Sequence, residues 1–148
     1  MSILSPAAYL DTSVVVAFYV PEPLSAQVQG IYNGQVSPTI SELVELEFFA
    51  ALSLRVHIGD LDRTSAERAG SLFLGHLEGG WYGRLHLHAG HYVAARGYIA
   101  RFDLPLKSPD PLHLAVAALD RLLIITADQQ LARNAERLGL AVELVRAI

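Results

Sequence analysis

The 148-residue chain has no cysteine, one methionine, one tryptophan and a single lysine, Lys107. Without cysteine there is no disulfide framework, no thiolate zinc site and no cysteine nucleophile. Such usage suits a reducing, cytoplasmic setting. Hydrophobic residues make up 52% of the chain and the mean hydropathy is +0.33. Even so, no apolar run approaches the roughly 18 residues of a membrane span, so no membrane association is expected. The apolar stretch from Ala7 to Val20 is broken by Asp11 and has no basic segment before it. It does not read as a secretory signal. Repeats, low-complexity tracts and Ser/Gly linkers are missing too, which leaves one domain over 1–148.

Basic charge is scarce. Fifteen acids face eleven bases, a formal charge of −4, and all the bases but Lys107 are arginine. Taken alone, that balance argues against a nucleic-acid partner, which favours a basic surface. The placement of the acids decides the matter.

Short apolar runs alternate with helical patterns. Strands are expected at Ala8–Leu10, Val36–Ile40 (with Pro38 inside), Arg84–His88, Leu122–Thr126 and Ala141–Val145. Helices are expected from Thr12 to Pro21, with Thr12 and Ser13 capping, and over Leu24–Tyr32, Ser41–Ile58 and Thr64–Leu77. Three more are expected over Ala89–Phe102, Pro111–Asp120 and Asp128–Leu138. This order predicts an α/β fold with a parallel sheet covered on both faces. Sites in such folds lie outside the carboxyl ends of the strands.

Acids stand where they are costly. Asp11 directly follows the first strand, and Asp128 follows the apolar strand Leu122–Thr126. Either could simply cap the next helix, although Thr126 with Gln129 offers a rival capping box that frees Asp128. Asp110, in Pro109-Asp110-Pro111, also reads as an N-cap with proline at the first helical position. Glu47 is different. Advancing about 100° per residue from Leu43, the residues Leu54, Glu47, Ile58 and Ala51 all fall within about 80°. Glu47 is therefore expected in the middle of the most apolar sector of its helix. A carboxylate buried there needs a partner, either an inward arginine or a cation. Four acids gathered at one sheet edge repel one another and call for a cation. An all-oxygen set suits Mg²⁺ or Mn²⁺.

In chain order, the residues resemble the PIN-domain family. Tyr9-Leu10-Asp11-Thr12-Ser13 is similar to its opening motif, and Ser41-x-Leu43-x-x-x-Glu47-x-x-x-Ala51-Leu52 to its second. Lys107-x-x-Asp110-x-x-His113-Leu114-Ala115 resembles the third, and Thr126-Ala127-Asp128 the fourth. The resemblance implies a three-layer α/β/α sandwich with a parallel sheet of about five strands. It also implies Mg²⁺- or Mn²⁺-dependent endoribonuclease activity on RNA, leaving 5′-phosphate and 3′-hydroxyl ends. Proteins of this kind are often VapC-like toxins, commonly homodimeric, each neutralised by a cognate antitoxin. By position, Asp11, Glu47, Asp110 and Asp128 become the metal-binding and catalytic acids. Thr12, Ser13 and Thr126 become their hydrogen-bonding supports. Lys107, where the family more often has arginine, becomes a candidate phosphate contact.

Other readings fit less well. A receiver domain wants paired acids at the first strand, and a dehalogenase-type phosphatase wants an aspartate where Ser13 stands. A zinc site from His86, His88 and His91 lacks a supporting carboxylate pattern. His113, on the same helical side as Asp110, fits either a hydrogen bond to the site or core packing. Trp81 and Tyr82, on the glycine-rich turn, read as packing or a dimer contact before base stacking. A non-catalytic binding module and a housekeeping nuclease remain the alternatives to a toxin. Setting the four candidate ligands aside leaves eleven acids against eleven bases, so the whole charge excess equals the candidate site.

Overall fold

The computed structural model describes residues 6–147. Five strands form one parallel sheet: β1 (Ala7–Leu10), β2 (Ser37–Ser41), β3 (Gly83–Leu85), β4 (Leu123–Thr126) and β5 (Val142–Leu144). Their order across the sheet is β3-β2-β1-β4-β5. Between β1 and β2 lie α1 (Thr12–Tyr19), α2 (Ser25–Gly30) and a π-type turn (Ile31–Gln35). Gly34, at φ +106°, lies inside that turn in a conformation other residues rarely adopt. From β2 to β3 run α3 (Glu42–His57) and α4 (Arg63–Glu78). The return crosses through α5 (Ala89–Ile99) and α6 (Asp110–Leu119), and α7 (Gln129–Arg137) joins β4 to β5. Right-handed crossovers put α1–α4 on one face and α5–α7 on the other, the expected three-layer sandwich. Among the described residues, no helix is long and apolar enough to cross a membrane.

The chain leaves β1 toward one edge of the sheet and later returns to β4 on its other side. The switch point therefore lies between β1 and β4, where α/β folds leave a crevice. Pro38 is tolerated inside central β2 for a geometric reason. Ser37 N–H donates toward β1, to Pro6 C=O, so the position of Pro38 faces β3. Pairing with β3 begins only at Thr39↔Gly83, so no ladder donor is lost.

Two local expectations change. Strand β3 stops at Leu85 instead of reaching His88, because His88 turns to cap α5. Its Nδ1 accepts from Gly90 N–H, and its own N–H donates to His91 Nδ1. His86 and His88 thus share no strand face, and His91 Nε2 pairs with Asp120 at 3.0 Å. The burial of α3 also differs from the apolar sector read around Leu43. Val44, Phe48 and Leu52 face the core, whereas Leu54 and Ile58 are 62% and 66% exposed. The aromatic ring cluster of α1 and α4 draws the helix round: Phe48 meets Phe73 at 4.3 Å and Tyr19 at 5.4 Å. Gly70 lets α4 approach α3, since a Cβ there would stand 2.8 Å from the Phe49 ring.

At the far end of α1 from Asp11, the Tyr82 hydroxyl meets those of Tyr19 and Tyr32, each at 2.7 Å. Tyr82 is core, while half-exposed Trp81 stacks on His76 at 3.4 Å between ring centroids.

Truncating the two apolar sides of α3 should separate them. Phe48→Ala is expected to cost about 3–5 kcal/mol and Leu54→Ala to stay within about 0.5 kcal/mol, as read by urea unfolding.

Candidate active site

Asp11 leaves β1 with its N–H donating to Ile125 C=O across the switch point. It is the N-cap of α1, taking over the role expected of Thr12 and Ser13. Its Oδ1 accepts from the Ser13 hydroxyl at 2.6 Å and from Val14 N–H at 3.4 Å. Its Oδ2 accepts from the Thr126 hydroxyl at 2.7 Å. Burial pushes the Asp11 carboxyl up from its ordinary value, against the opposing pull of His113, Ser13, Thr126 and Val14. Ser13 and Thr126 also hold the β4 turn, accepting from Ala127 N–H and Asp128 N–H respectively.

Asp128 caps α7, its Oδ1 accepting from Gln130 and Leu131 N–H at 2.8 and 3.0 Å. The rival capping by Thr126 does not form: its hydroxyl donates to Asp11 and accepts from Asp128 N–H, and Asp128 is itself the N-cap. Asp110 goes the other way. The N-cap of α6 is Pro109, and Asp110 is the first helical residue. Its side chain caps nothing and makes no hydrogen bond or ion pair with the described residues.

Glu47 lies at the margin of the buried face of α3, with its side chain 25% exposed. Its partner is not an arginine. Oε1 accepts from the Thr12 hydroxyl at 2.7 Å and lies 2.6 Å from His113 Nε2. Burial pushes its carboxyl up, but the hydrogen bond and charge of His113, with Thr12, outweigh burial and hold it below the ordinary value. His113 therefore touches the site, as one of its two expected roles required. Behind it stand residues that sequence reasoning missed. His113 Nδ1 lies 2.6 Å from the Tyr9 hydroxyl, which lies 2.8 Å from Ser41 Oγ. The available signal was a phenol inside a fully apolar strand. Lys107 is exposed; its backbone carbonyl accepts from Asp110 N–H at 2.7 Å.

The four acids share one electrostatic neighbourhood. Asp110 is pushed from 3.8 up to about 6, first by burial and then by the charges of Asp128, Asp11 and Glu47, with His113 opposing. As the side chains stand, no three acids or histidines among the described residues lie close enough to hold an ion. The donor set nevertheless fits a hard divalent cation. It is all oxygen, with the Asp110 carboxylate and Glu47 Oε2 free of hydrogen bonds, and it carries the excess negative charge that a cation would relieve. Two clefts flank it. One of about 350 Å³ is lined by Thr12, Ser13, Arg55 and Ala127; the other, of about 730 Å³, by Ala127, Gln129, Arg133 and Arg146.

A family model described as PIN domain matches residues 8–137, which includes all four acids. The chain belongs to the PIN domain family. No curated protein matches it. Solved structures share the PIN fold at low identity. VapC20 of Mycobacterium tuberculosis, named as a sarcin-ricin loop cleaving toxin, is 16% identical, with a TM-score of 0.67 over 86% of this chain and 94% of its own. VapBC2 of Rickettsia felis, bound to a DNA fragment from its promoter, is 14% identical, with 0.66 over 95% and 99%. FitAcB of Neisseria gonorrhoeae is 19% identical, with 0.61 over 91% and 95%. At these identities the likeness is one of PIN fold.

The crowding at Asp110 has a sign. Its folded value lies above its ordinary one, so its contribution to stability is full below about pH 4 and lost as pH rises through about 6. Fully buried, such a displacement is worth about 3 kcal/mol. Asp110 is half-buried, so screening leaves about 1 kcal/mol. Asp110→Asn should therefore stabilise the metal-free protein by about that amount at pH 7.5 and by nothing below about pH 4. Urea unfolding in the presence of chelator across that range checks it.

Proposed function

We propose that the chain, acting as one PIN unit over 1–148, is a divalent-metal-dependent ribonuclease. It hydrolyses RNA phosphodiester bonds and serves as the toxin of a VapBC-type pair. What supports this is the placing of Asp11, Asp110 and Asp128 in the cap or first turn of helices α1, α6 and α7, with Glu47 tied to α1 and α6 through Thr12 and His113. Such an arrangement is expensive without a cation, and PIN membership gives the cation a use. RNA as substrate is in keeping with the cleavage named for VapC20.

Asp11, Glu47 and Asp110 would hold Mg²⁺ or Mn²⁺, with Asp128 completing the set. When bound, the cation lowers the pKa of water and neutralises charge developing on phosphate. The protein supplies the rest. Ser13 and Thr126 fix both oxygens of Asp11 and couple it to the β4 turn, so strand and ligand move together. Thr12 fixes Glu47. Lys107, in the loop before Asp110, and Arg133 and Arg146, in the neighbouring cleft, would meet RNA phosphates.

The exposed apolar surface is in keeping with protein partners. Leu46, Leu54 and Ile58 on α3 are exposed, as are Tyr92, Val93 and Ile99 on α5 and the following Phe102, which is 88% exposed. Apolar area of that extent supports a homodimer contact and a cognate antitoxin.

Exchanging Asp11 for Asn keeps its shape and removes its charge. It should lower Mn²⁺-dependent cleavage of a fluorescent RNA at least about a thousandfold, a loss of several kcal/mol in transition-state stabilisation. The circular dichroism spectrum should be unchanged. Cleavage at the parent rate, or in excess EDTA, refutes the mechanism. Expression of the parent should arrest growth, and a small protein encoded beside it should restore growth.

A further inference from the structure

Glu47 differs from the other three acids in its surroundings. Asp11 and Asp128 cap helices and Asp110 opens one, whereas Glu47 sits in the second turn of α3 with no free backbone N–H within reach. Its fixed neighbours are side chains. Ser41, Tyr9, His113, Glu47 and Thr12 form one unbroken chain of contacts between 2.6 and 2.8 Å, tying β2, β1, α6, α3 and α1 together. Tyr9 and Ser41 are fully buried and His113 almost so.

The direction of each hydrogen follows from what each group can do. An ionised Glu47 only accepts, so His113 Nε2 carries the proton between them. A neutral ring then accepts at Nδ1 from the Tyr9 hydroxyl, whose oxygen accepts from Ser41, whereas a charged ring donates from both nitrogens and still donates to Glu47. Both donors to Glu47, Thr12 and His113, end on the same oxygen, Oε1. Oε2 makes no hydrogen bond with the described residues.

We propose that His113 is a positioning residue: oriented by Tyr9 and Ser41, it saturates Glu47 Oε1 and presents Oε2 to the divalent cation. This rests on the metal-nuclease reading above. The imidazole does for Glu47, through its Nε2–H, what helix N-termini do for Asp11 and Asp128. Outer partners that orient a ligand are commonly worth 10–100-fold in metal affinity.

The test uses full-length, metal-free protein as parent, His113→Leu, His113→Gln and Tyr9→Phe. Two-bond proton–nitrogen NMR reads the His113 tautomer, calorimetry reads the Mn²⁺ Kd, and thermal melting reads stability. The parent should show the Nε2–H form. His113→Leu should bind Mn²⁺ about 10–100-fold more weakly. His113→Gln, whose amide N–H can reach Oε1, should recover most of that loss, and Tyr9→Phe should fall between. A network that merely satisfies core polar atoms would lower the melting temperature of His113→Leu and leave Kd unchanged; that result overturns the proposal, as does an Nδ1–H parent. If His113→Leu fails to fold, Tyr9→Phe decides, and parental Mn²⁺ affinity in that variant overturns it. A parent that shows Nε2–H but binds no Mn²⁺ refutes the nuclease reading and this proposal with it. A parent that binds Mn²⁺ indifferently to His113 refutes the positioning role alone.

Discussion

The placing of four carboxylates at one end of a parallel sheet is the constraint to which the rest of this fold answers. Each acid is accommodated differently. Asp11, almost fully buried, has hydroxyls on both oxygens; Asp128 has two backbone donors; Glu47 has a hydroxyl and an imidazole. Asp110 has none, and its carboxyl is pushed up to about 6. The residual cost is thus concentrated on one side chain, where a bound cation would offset it most. Stability is given up at the place where the proposed chemistry would use it.

Topology makes the convergence possible. In this parallel sheet α1, α3, α6 and α7 run back against the strands, so their N-termini and the strand C-termini meet at the same edge. Asp11, Asp110 and Asp128 all lie in the first turn or cap of a helix, where the backbone dipole favours negative charge. Glu47 lies deeper in its helix and takes support from side chains on other elements. The polar chain from Ser41 to Thr12 is the counterpart, for that one acid, of a helix N-terminus.

The high hydrophobic content divides into two uses. Part fills the core around Tyr9, Leu10, Phe48, Phe73, Ile124 and Ile125. Another part stays on the outside of α3 and α5, where it is exposed among the described residues. Periodicity cannot separate these uses, because a helix apolar on most sides offers several equally apolar stripes. On α3 the stripe around Leu43, Leu54 and Ile58 and the stripe of Val44, Phe48 and Leu52 look alike in sequence. Only the rings of Tyr19 and Phe73 select between them.

The order of strands and helices, and the position of Asp11 and Asp128 directly after strands, were legible in the sequence because they rest on local rules: apolar runs and turn residues. The end of β3 was not, because the capping of α5 by His88 competes with strand pairing and wins through a contact to His91. The use of each acid was not legible either. Asp, Ser and Thr all make good caps, so Asp110-Pro111 and Thr126-x-x-Gln129 gave capping signals that the three-dimensional neighbours override. Tyr9, His113 and Ser41 stand up to 104 positions apart, and no local pattern joins them. The sequence by itself determined which residue types reach the carboxyl edge of the sheet, since alternation and chain order suffice for that. Tertiary structure alone decided which oxygen of each carboxylate is occupied and which is free, because that depends on donors brought from different elements through the packing of the core.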